Sequence, residues 1–202
     1  MTLREQFGPI DIYLFDQLLR GRIEPGMRIL DAGCGSGRNL VYLLRARFEV
    51  FAVDSDPQAI DAVCALAARL APALPPANFR AAPIDHMPFP DAFADVVISS
   101  AVLHFAADDR HFASMLEGMW TALKPGGLLF CRLASSIGIE NQIVQRTGRR
   151  YLLPDQSERY LVDEALLIEW TKKLGAELAD PIKTTVVQNQ RAMTTWVLRK
   201  NP

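Results

Sequence analysis

The stretch Asp31-Ala32-Gly33-Cys34-Gly35-Ser36-Gly37 carries the strongest chemical signal in the chain. Glycines alternate through it, and a residue without a Cβ lets the backbone turn sharply and come close to a ligand. About 20 residues on, Asp54 ends the apolar run Glu49-Val50-Phe51-Ala52-Val53. A carboxylate at that place accepts hydrogen bonds from both hydroxyls of a ribose. The two features together describe a nucleotide-like ligand bound beyond the carboxyl ends of parallel strands. Spacing narrows the class. The dinucleotide fingerprint G-x-G-x-x-G needs a third glycine at position 38, which is Arg38. No Gly-Lys-Ser/Thr follows, so a P-loop is absent as well.

These residues need a scaffold, and the alternation of the chain supplies one. Between residues 28 and 133, apolar runs of strand length alternate with longer helical patterns, the signature of a parallel sheet covered by helices. Strands are predicted at 28–31, 49–53, 78–82, 94–99 and 128–133. Helices are predicted at 39–44, from the cap Asp56-Pro57 to Leu70, and at 109–123, stopped by Lys124-Pro125-Gly126-Gly127. Asp163 caps a later helix that ends near Leu174, with Gly175 as its stop. Runs 184–187 and 194–198 form a hairpin around Gln188–Arg191, although that turn has no glycine.

Two segments stand outside this scheme: an amphipathic leader with Ile10, Tyr13, Leu14 and Leu18 on one face, and the stretch 135–160. The chain therefore reads as one domain. An N-terminal helical cap spans 1–24, a ligand-binding core 25–133, an irregular lid-like insertion 134–160, and a last helix with hairpin 161–202.

Composition excludes several classes. With 22 basic and 23 acidic residues the net charge is −1, without the basic excess of a general nucleic-acid or anionic-membrane binder. No apolar run approaches the roughly 20 residues of a membrane helix, and Met1-Thr2-Leu3-Arg4-Glu5-Gln6 lacks the layout of a signal peptide. Cys34, Cys64 and Cys131 show no CxxC spacing, and no His/Cys/carboxylate cluster suggests a metal. The expectation is a reduced, cytoplasmic protein with neither a membrane nor a nucleic-acid partner.

Five ordered blocks make the sequence resemble the class I S-adenosylmethionine-dependent methyltransferases. They are Leu30-Asp31-Ala32-Gly33-Cys34-Gly35-Ser36-Gly37, Val53-Asp54, Met87-Pro88-Phe89-Pro90-Asp91, Val96-Val97-Ile98-Ser99, and Leu123-Lys124-Pro125-Gly126-Gly127. The resemblance covers about residues 25–133 plus the terminal hairpin. It implies an α/β fold with a Rossmann-like, doubly wound seven-stranded sheet, mostly parallel with an antiparallel last strand. It also implies S-adenosyl-L-methionine as methyl donor and S-adenosyl-L-homocysteine as product. By position, Asp31 and the turn through Gly33, Cys34, Gly35 and Gly37 would hold the methionine end. Asp54 would bind the ribose, Ser55 or Asp56 would sit beside the adenine, and Ser99 would lie near the reacting methyl. The family often has an acid before the Leu-Pro-Phe-Pro-Asp block; here that place is Pro83, so Asp85 takes the adenine contact or Ile84 and His86 offer backbone alone.

For the acceptor, His104 after the fourth strand is the candidate base, with a packed strand-end histidine as the other reading. Tyr13 and Arg132 are candidate acceptor contacts. Arg146, Arg149 and Arg150 match an oxyanion, or form a solvated basic stretch. His86 and His111 read as loop and helix-surface residues. A small-molecule acceptor is expected, since no recognition module is appended. The competing readings are an RNA or protein methyltransferase, and a non-catalytic cofactor-binding or partner subunit.

Overall fold

The structure, a computed structural model, describes residues 2–202. Its main sheet follows from the apolar runs. Strands β1 (Arg28–Ala32), β2 (Glu49–Asp54), β3 (Phe79–Ala81), β4 (Ala94–Ser100) and β5 (Leu123–Ser135) pair in parallel in the order β5-β4-β1-β2-β3. The strand order reverses between β1 and β4, with β2 and β3 on one side and β5 on the other, and this opens a crevice at the strands' carboxyl ends, the position where ligands bind in such sheets. Beyond β5, β11 (Arg191–Lys200) runs antiparallel, with Trp196 opposite Cys131. The expected antiparallel last strand is therefore present.

Side chains alternate between two apolar layers. Leu30, Val97, Leu129 and Trp196 face α5 (Asp109–Ala122) and α6 (Glu164–Lys173). Ile29, Val50, Ile98 and Phe130 face α2 (Ile12–Leu19), α3 (Val41–Arg45) and α4 (Pro57–Leu70). Burial on both faces explains why these strands read as nearly unbroken apolar runs. A short α1 (Leu3–Phe7) precedes α2. Caps fall where the side chains dictate: Asp56, Asp108 and Asp163 accept from the N–H groups of Gln58, His111 and Leu166. No helix among the described residues is long and apolar enough to cross a membrane.

Four details depart from the expectation. The helix predicted at 39–44 begins at Val41, because Gly37 and Leu40 donate to Cys34 and Gly37 carbonyls and hold 34–40 in tight turns. The Lys124–Gly127 stop is absorbed into β5, where the register with β4 slips between Ala94 and Val96.

The outer edge of β11 carries a broken strand, β9 (Ala176–Leu178) and β10 (Lys183–Val187), interrupted around Pro181. Proline removes a ladder donor, so the break falls there. Asp180, inside the break, is buried and receives Gln17 at 2.8 Å and Arg22 at 2.9 Å, tying this edge to α2 and the residues after it.

The stretch 134–160 is not irregular. It holds a second antiparallel sheet of β6 (Val144–Thr147), β7 (Arg150–Leu152) and β8 (Glu158–Tyr160). The strands are three or four residues long and mostly unburied, so no apolar alternation marks them. Backbone pairing holds them together, and Tyr160 anchors them. Its ring stacks on Phe112 at 5.0 Å and its hydroxyl donates to Asp109 at 2.8 Å.

The β10–β11 hairpin turns through Gln188 and Asn189, both left-handed at φ 49° and 53°. Two positive φ values are the demand of a type I′ turn, which Asn-Gly meets best. The double substitution Gln188→Asn with Asn189→Gly is expected to stabilise the protein by about 1 kcal/mol. Thermal unfolding would show this as a rise of roughly 2–4 °C.

Candidate active site

A cleft of about 650 Å³ lies beyond the ends of β1, β2 and β4. Its floor is the turn after β1. The N–H groups of Gly33 and Cys34 both donate to the Val53 carbonyl, at 2.8 and 3.0 Å, fastening the turn to β2. Gly33 has φ 87°, and a Cβ there would lie 2.5 Å from Val102 Cγ2. Gly35 differs: at φ 50°, its missing Cβ would meet nothing within 4 Å, so its bare backbone borders open space. The chain is bent so that main chain, not side chain, forms this wall.

Asp54 completes the turn from the neighbouring strand. Its Oδ2 accepts from Gly35 N–H at 2.8 Å and its Oδ1 from Asp56 N–H at 3.0 Å. Each oxygen keeps a lone pair for a ligand hydroxyl.

Asp31 lies behind the turn instead of on the cleft wall. It is buried, and neither carboxylate oxygen has a partner among the described residues. Burial pushes its pKa up to about 7; Arg38 opposes the rise and the Asp54 charge adds to it. An unpartnered buried carboxyl is costly unless something compensates it. A cationic ligand end beside the turn would do so. That orphaned group, the bare Gly35 backbone and the Asp54 carboxylate together fit a ligand with an ammonium at one end and a ribose in the middle.

The far wall is formed by Ile84 and Asp85, on a single 3-10 turn, and by Pro83. Gly118 of α5 permits this approach, since a Cβ there would sit 2.8 Å from the Ile84 carbonyl. Ser55 also lines the cleft. Gly37 does not line it: its missing Cβ faces Leu66 and Val63 of α4. Ser99 is buried without a partner among the described residues and stays off the cleft, while Ser100, one residue further along β4, lines it and accepts from Arg38 at 2.8 Å. Cys34 lines the cleft, but burial, with Asp31 and Asp54 nearby, pushes its thiol well above the usual range, so it is no nucleophile.

Sequence reasoning missed His111, Phe105 and Met115, which also line the cleft. His111 and Met115 are four apart on α5, a spacing that sets them on one face. That spacing was the available signal.

A second cavity of about 330 Å³ adjoins the first, and the two share Arg38 and Ala101. Ala101 sits at φ 66°, a strained conformation for a residue with a side chain, at the point where β4 ends. His104 and Arg132 line this second cavity, with Arg159, Arg191 and Asp155. His104 is 6% exposed, and its Nδ1 accepts from Ala134 N–H at 3.3 Å. Burial, and then the charges of Arg159 and Arg191, lower its pKa to about 4. At neutral pH it is therefore uncharged, with Nδ1 occupied and its proton on Nε2.

Arg132 reaches Asp11 at 3.1 Å and lies 5.5 Å over the Tyr13 ring. Tyr13 lines neither cavity; its hydroxyl pairs with Thr185 at 2.7 Å. Arg149 and Arg150 are tied to Asp163 and Glu158. His86 is exposed in its loop. Among the described residues no group of three His, Cys, Asp or Glu is placed to hold a metal ion.

Comparison with known proteins follows the same lines. The methyltransferase-domain family profile matches residues 30–131, about half of the chain. The uncharacterized methyltransferase YodH of Bacillus subtilis is 34% identical over 116 residues, covering 57% of this chain and 44% of the relative. The tRNA U34 carboxymethyltransferase of Idiomarina loihiensis is 28% identical over 181 residues, covering 85% and 52%. The chain thus spans about half the length of these curated relatives. Among solved structures, the 1,6-didemethyltoxoflavin-N1-methyltransferase of Burkholderia thailandensis, with its substrate and S-adenosylhomocysteine bound, superposes with a TM-score of 0.69. It is 22% identical, with 92% of this chain and 76% of that one covered.

Proposed function

Because the chain belongs to the class I S-adenosylmethionine-dependent methyltransferases, we propose that it transfers the donor's methyl group to a small-molecule acceptor, releasing S-adenosylhomocysteine. The observation that carries this reading is the pair of adjoining cavities, one floored by a glycine turn and Asp54, the other small and sharing Arg38 and Ala101 with it. The bound donor supplies a sulfonium that makes its methyl carbon electrophilic, so positioning accounts for much of the rate. The chain's own residues bind and align. Asp54 would hold the ribose hydroxyls, the Gly33–Gly35 backbone and Asp31 the methionine end, and Ile84 with Asp85 the adenine.

A cavity of about 330 Å³ is at the small end for ligand sites, which supports a small acceptor over a tRNA such as the one named for the Idiomarina relative. A near-neutral charge supports the same reading. Three free cysteines, two of them buried, support a reducing, cytoplasmic setting.

Titration calorimetry with S-adenosylhomocysteine, with NADH as control, tests the cofactor class. Saturable one-site binding of the first alone is expected; no binding of it would sink the proposal.

Asp31 gives this titration a pH signature. In an unfolded chain its pKa is near 4, and in the folded protein it is raised to about 7. The stability lent by its neutral form is full below pH 4 and lost as pH rises through 7. A ligand ammonium beside it favours the carboxylate instead. Binding at pH 6 should therefore release close to one proton, and binding at pH 8 almost none. Calorimetry in two buffers of different ionisation enthalpy reads this directly, and Asp31→Asn should abolish the difference.

A further inference from the structure

The polar groups that line the second cavity are mostly hydrogen-bond donors and positive charge, set among the apolar Ala101, Ala134, Leu153, Val187 and Met193. Arg38, Arg132, Arg159 and Arg191 line it in a protein whose net charge is −1. Arg132 and Arg38 lie 3.1 and 3.8 Å from the buried Asp11 carboxylate. Arg159 and Arg191 make no ion pair among the described residues; Arg159 instead donates to its neighbour's carbonyl and lies 5.0 Å over Phe105. Arg132 Nε is buried without a partner among the described residues. His104 adds one more N–H, since Nδ1 already accepts from Ala134. The single carboxylate on the wall, Asp155, is engaged by Ser157. Such a lining matches a ligand group that only accepts and carries negative charge, and guanidinium forks suit a carboxylate.

The same lining lacks a base. His104 has no free lone pair. Burial alone would raise Asp155, but the Ser157 hydrogen bonds and the charges of Arg191 and Arg159 hold its pKa below the ordinary value. An alcohol acceptor must lose a proton to react, whereas a carboxylate is ionised at neutral pH.

We infer that the acceptor is a small carboxylic acid seated against Arg159, Arg191 and Arg132, and that its carboxylate oxygen is the atom methylated, giving a methyl ester. This rests on the methyltransferase reading above. In the step, a carboxylate lone pair forms the O–CH₃ bond as the S–CH₃ bond breaks with its electron pair remaining on sulfur. The negative and positive charges cancel and no proton is released.

The test begins with S-adenosylhomocysteine binding, whose absence overturns the methyltransferase reading itself. The protein that binds it is then incubated with methyl-labelled S-adenosylmethionine and a panel of benzoate, salicylate, malonate, glutarate and adipate, together with the small-molecule ultrafiltrate of a cell extract. Label released as volatile methanol by mild alkali is the expected result. Arg159→Gln with Arg191→Gln should lower kcat/KM for that acid about 100-fold while S-adenosylhomocysteine affinity changes less than threefold. The same variant should lose at least tenfold in affinity for the bare acid titrated in the presence of S-adenosylhomocysteine. Label held in an alkali-stable bond, no label from a protein that binds S-adenosylhomocysteine, or a double variant with unaltered acid affinity each overturns the inference.

Discussion

Asp54→Ala is expected to weaken S-adenosylhomocysteine binding at least 100-fold, with only a small change in stability. The carboxylate does two jobs at one place. It fixes the backbone of the glycine turn through Gly35 N–H at 2.8 Å and the start of the next helix through Asp56 N–H at 3.0 Å. It also keeps lone pairs facing the cleft for the ribose. Each hydrogen bond to a charged group is worth about 1.5–3 kcal/mol, and about 1.4 kcal/mol is a factor of ten in affinity. Losing two ribose contacts alone gives the 100-fold, before any loosening of the turn. Asp54→Asn separates the two roles. Its side-chain oxygen can still accept from one backbone N–H, but the charge and one acceptor are gone, so its affinity should fall between those of the parent and the alanine variant. Calorimetry on all three proteins checks the order. An alanine variant binding within threefold of the parent would remove Asp54 from the site.

The parts of this protein that were legible from its residues are those that local physics dictates. Ile29, Leu30, Val96 and Val97 alternate between two buried layers, so apolar runs announced β1 and β4 directly. Gly33 and Asp54 were readable because a sharp turn and a strand-end carboxylate each restrict the residue type. What was hidden depends on tertiary convergence. Arg38, Arg159 and Arg191 come from a turn after β1, from β8 and from the start of β11, and no spacing links them. The β6–β8 sheet was invisible because its strands bury too little to need an apolar face. His104 was rightly placed after β4, yet its part in the site turns on Ala134 N–H, 30 residues away. Ser99 and Ser100 show how fine the limit is: one residue along a strand exchanges a buried hydroxyl for one on the cleft.

Gly33→Ala should be the most destabilising single-methyl change in the cleft, at roughly 2–6 kcal/mol. Two costs add. A side chain at φ 87° is strained, by about 1–3 kcal/mol for sparsely populated backbone. The new Cβ would also lie 2.5 Å from Val102 Cγ2 and 2.8 Å from Cγ1, on a residue packed in the buried layer beneath the turn. Overpacking of that kind costs about 1–3 kcal/mol. Val102 has little room to turn aside, because its side chain is packed within the buried apolar layer. For a chain of this size each kcal/mol moves the unfolding midpoint by about 2–4 °C, so a fall of roughly 4–24 °C is expected. Gly35→Ala, two residues on, provides the contrast. Its Cβ meets nothing within 4 Å, so only the backbone strain at φ 50° remains, about 1–3 kcal/mol, and the midpoint should fall about half as far as for Gly33→Ala. Its methyl instead projects into the space a ligand needs, so binding should suffer more than folding. Combining Gly33→Ala with Val102→Ala isolates most of the steric part: the contacts to Cγ1 and Cγ2 disappear, a 3.2 Å contact to Cβ and the backbone cost stay, and the double variant should lose less than the two single losses added together. Additive losses would mean that Val102 is not what Gly33 makes room for.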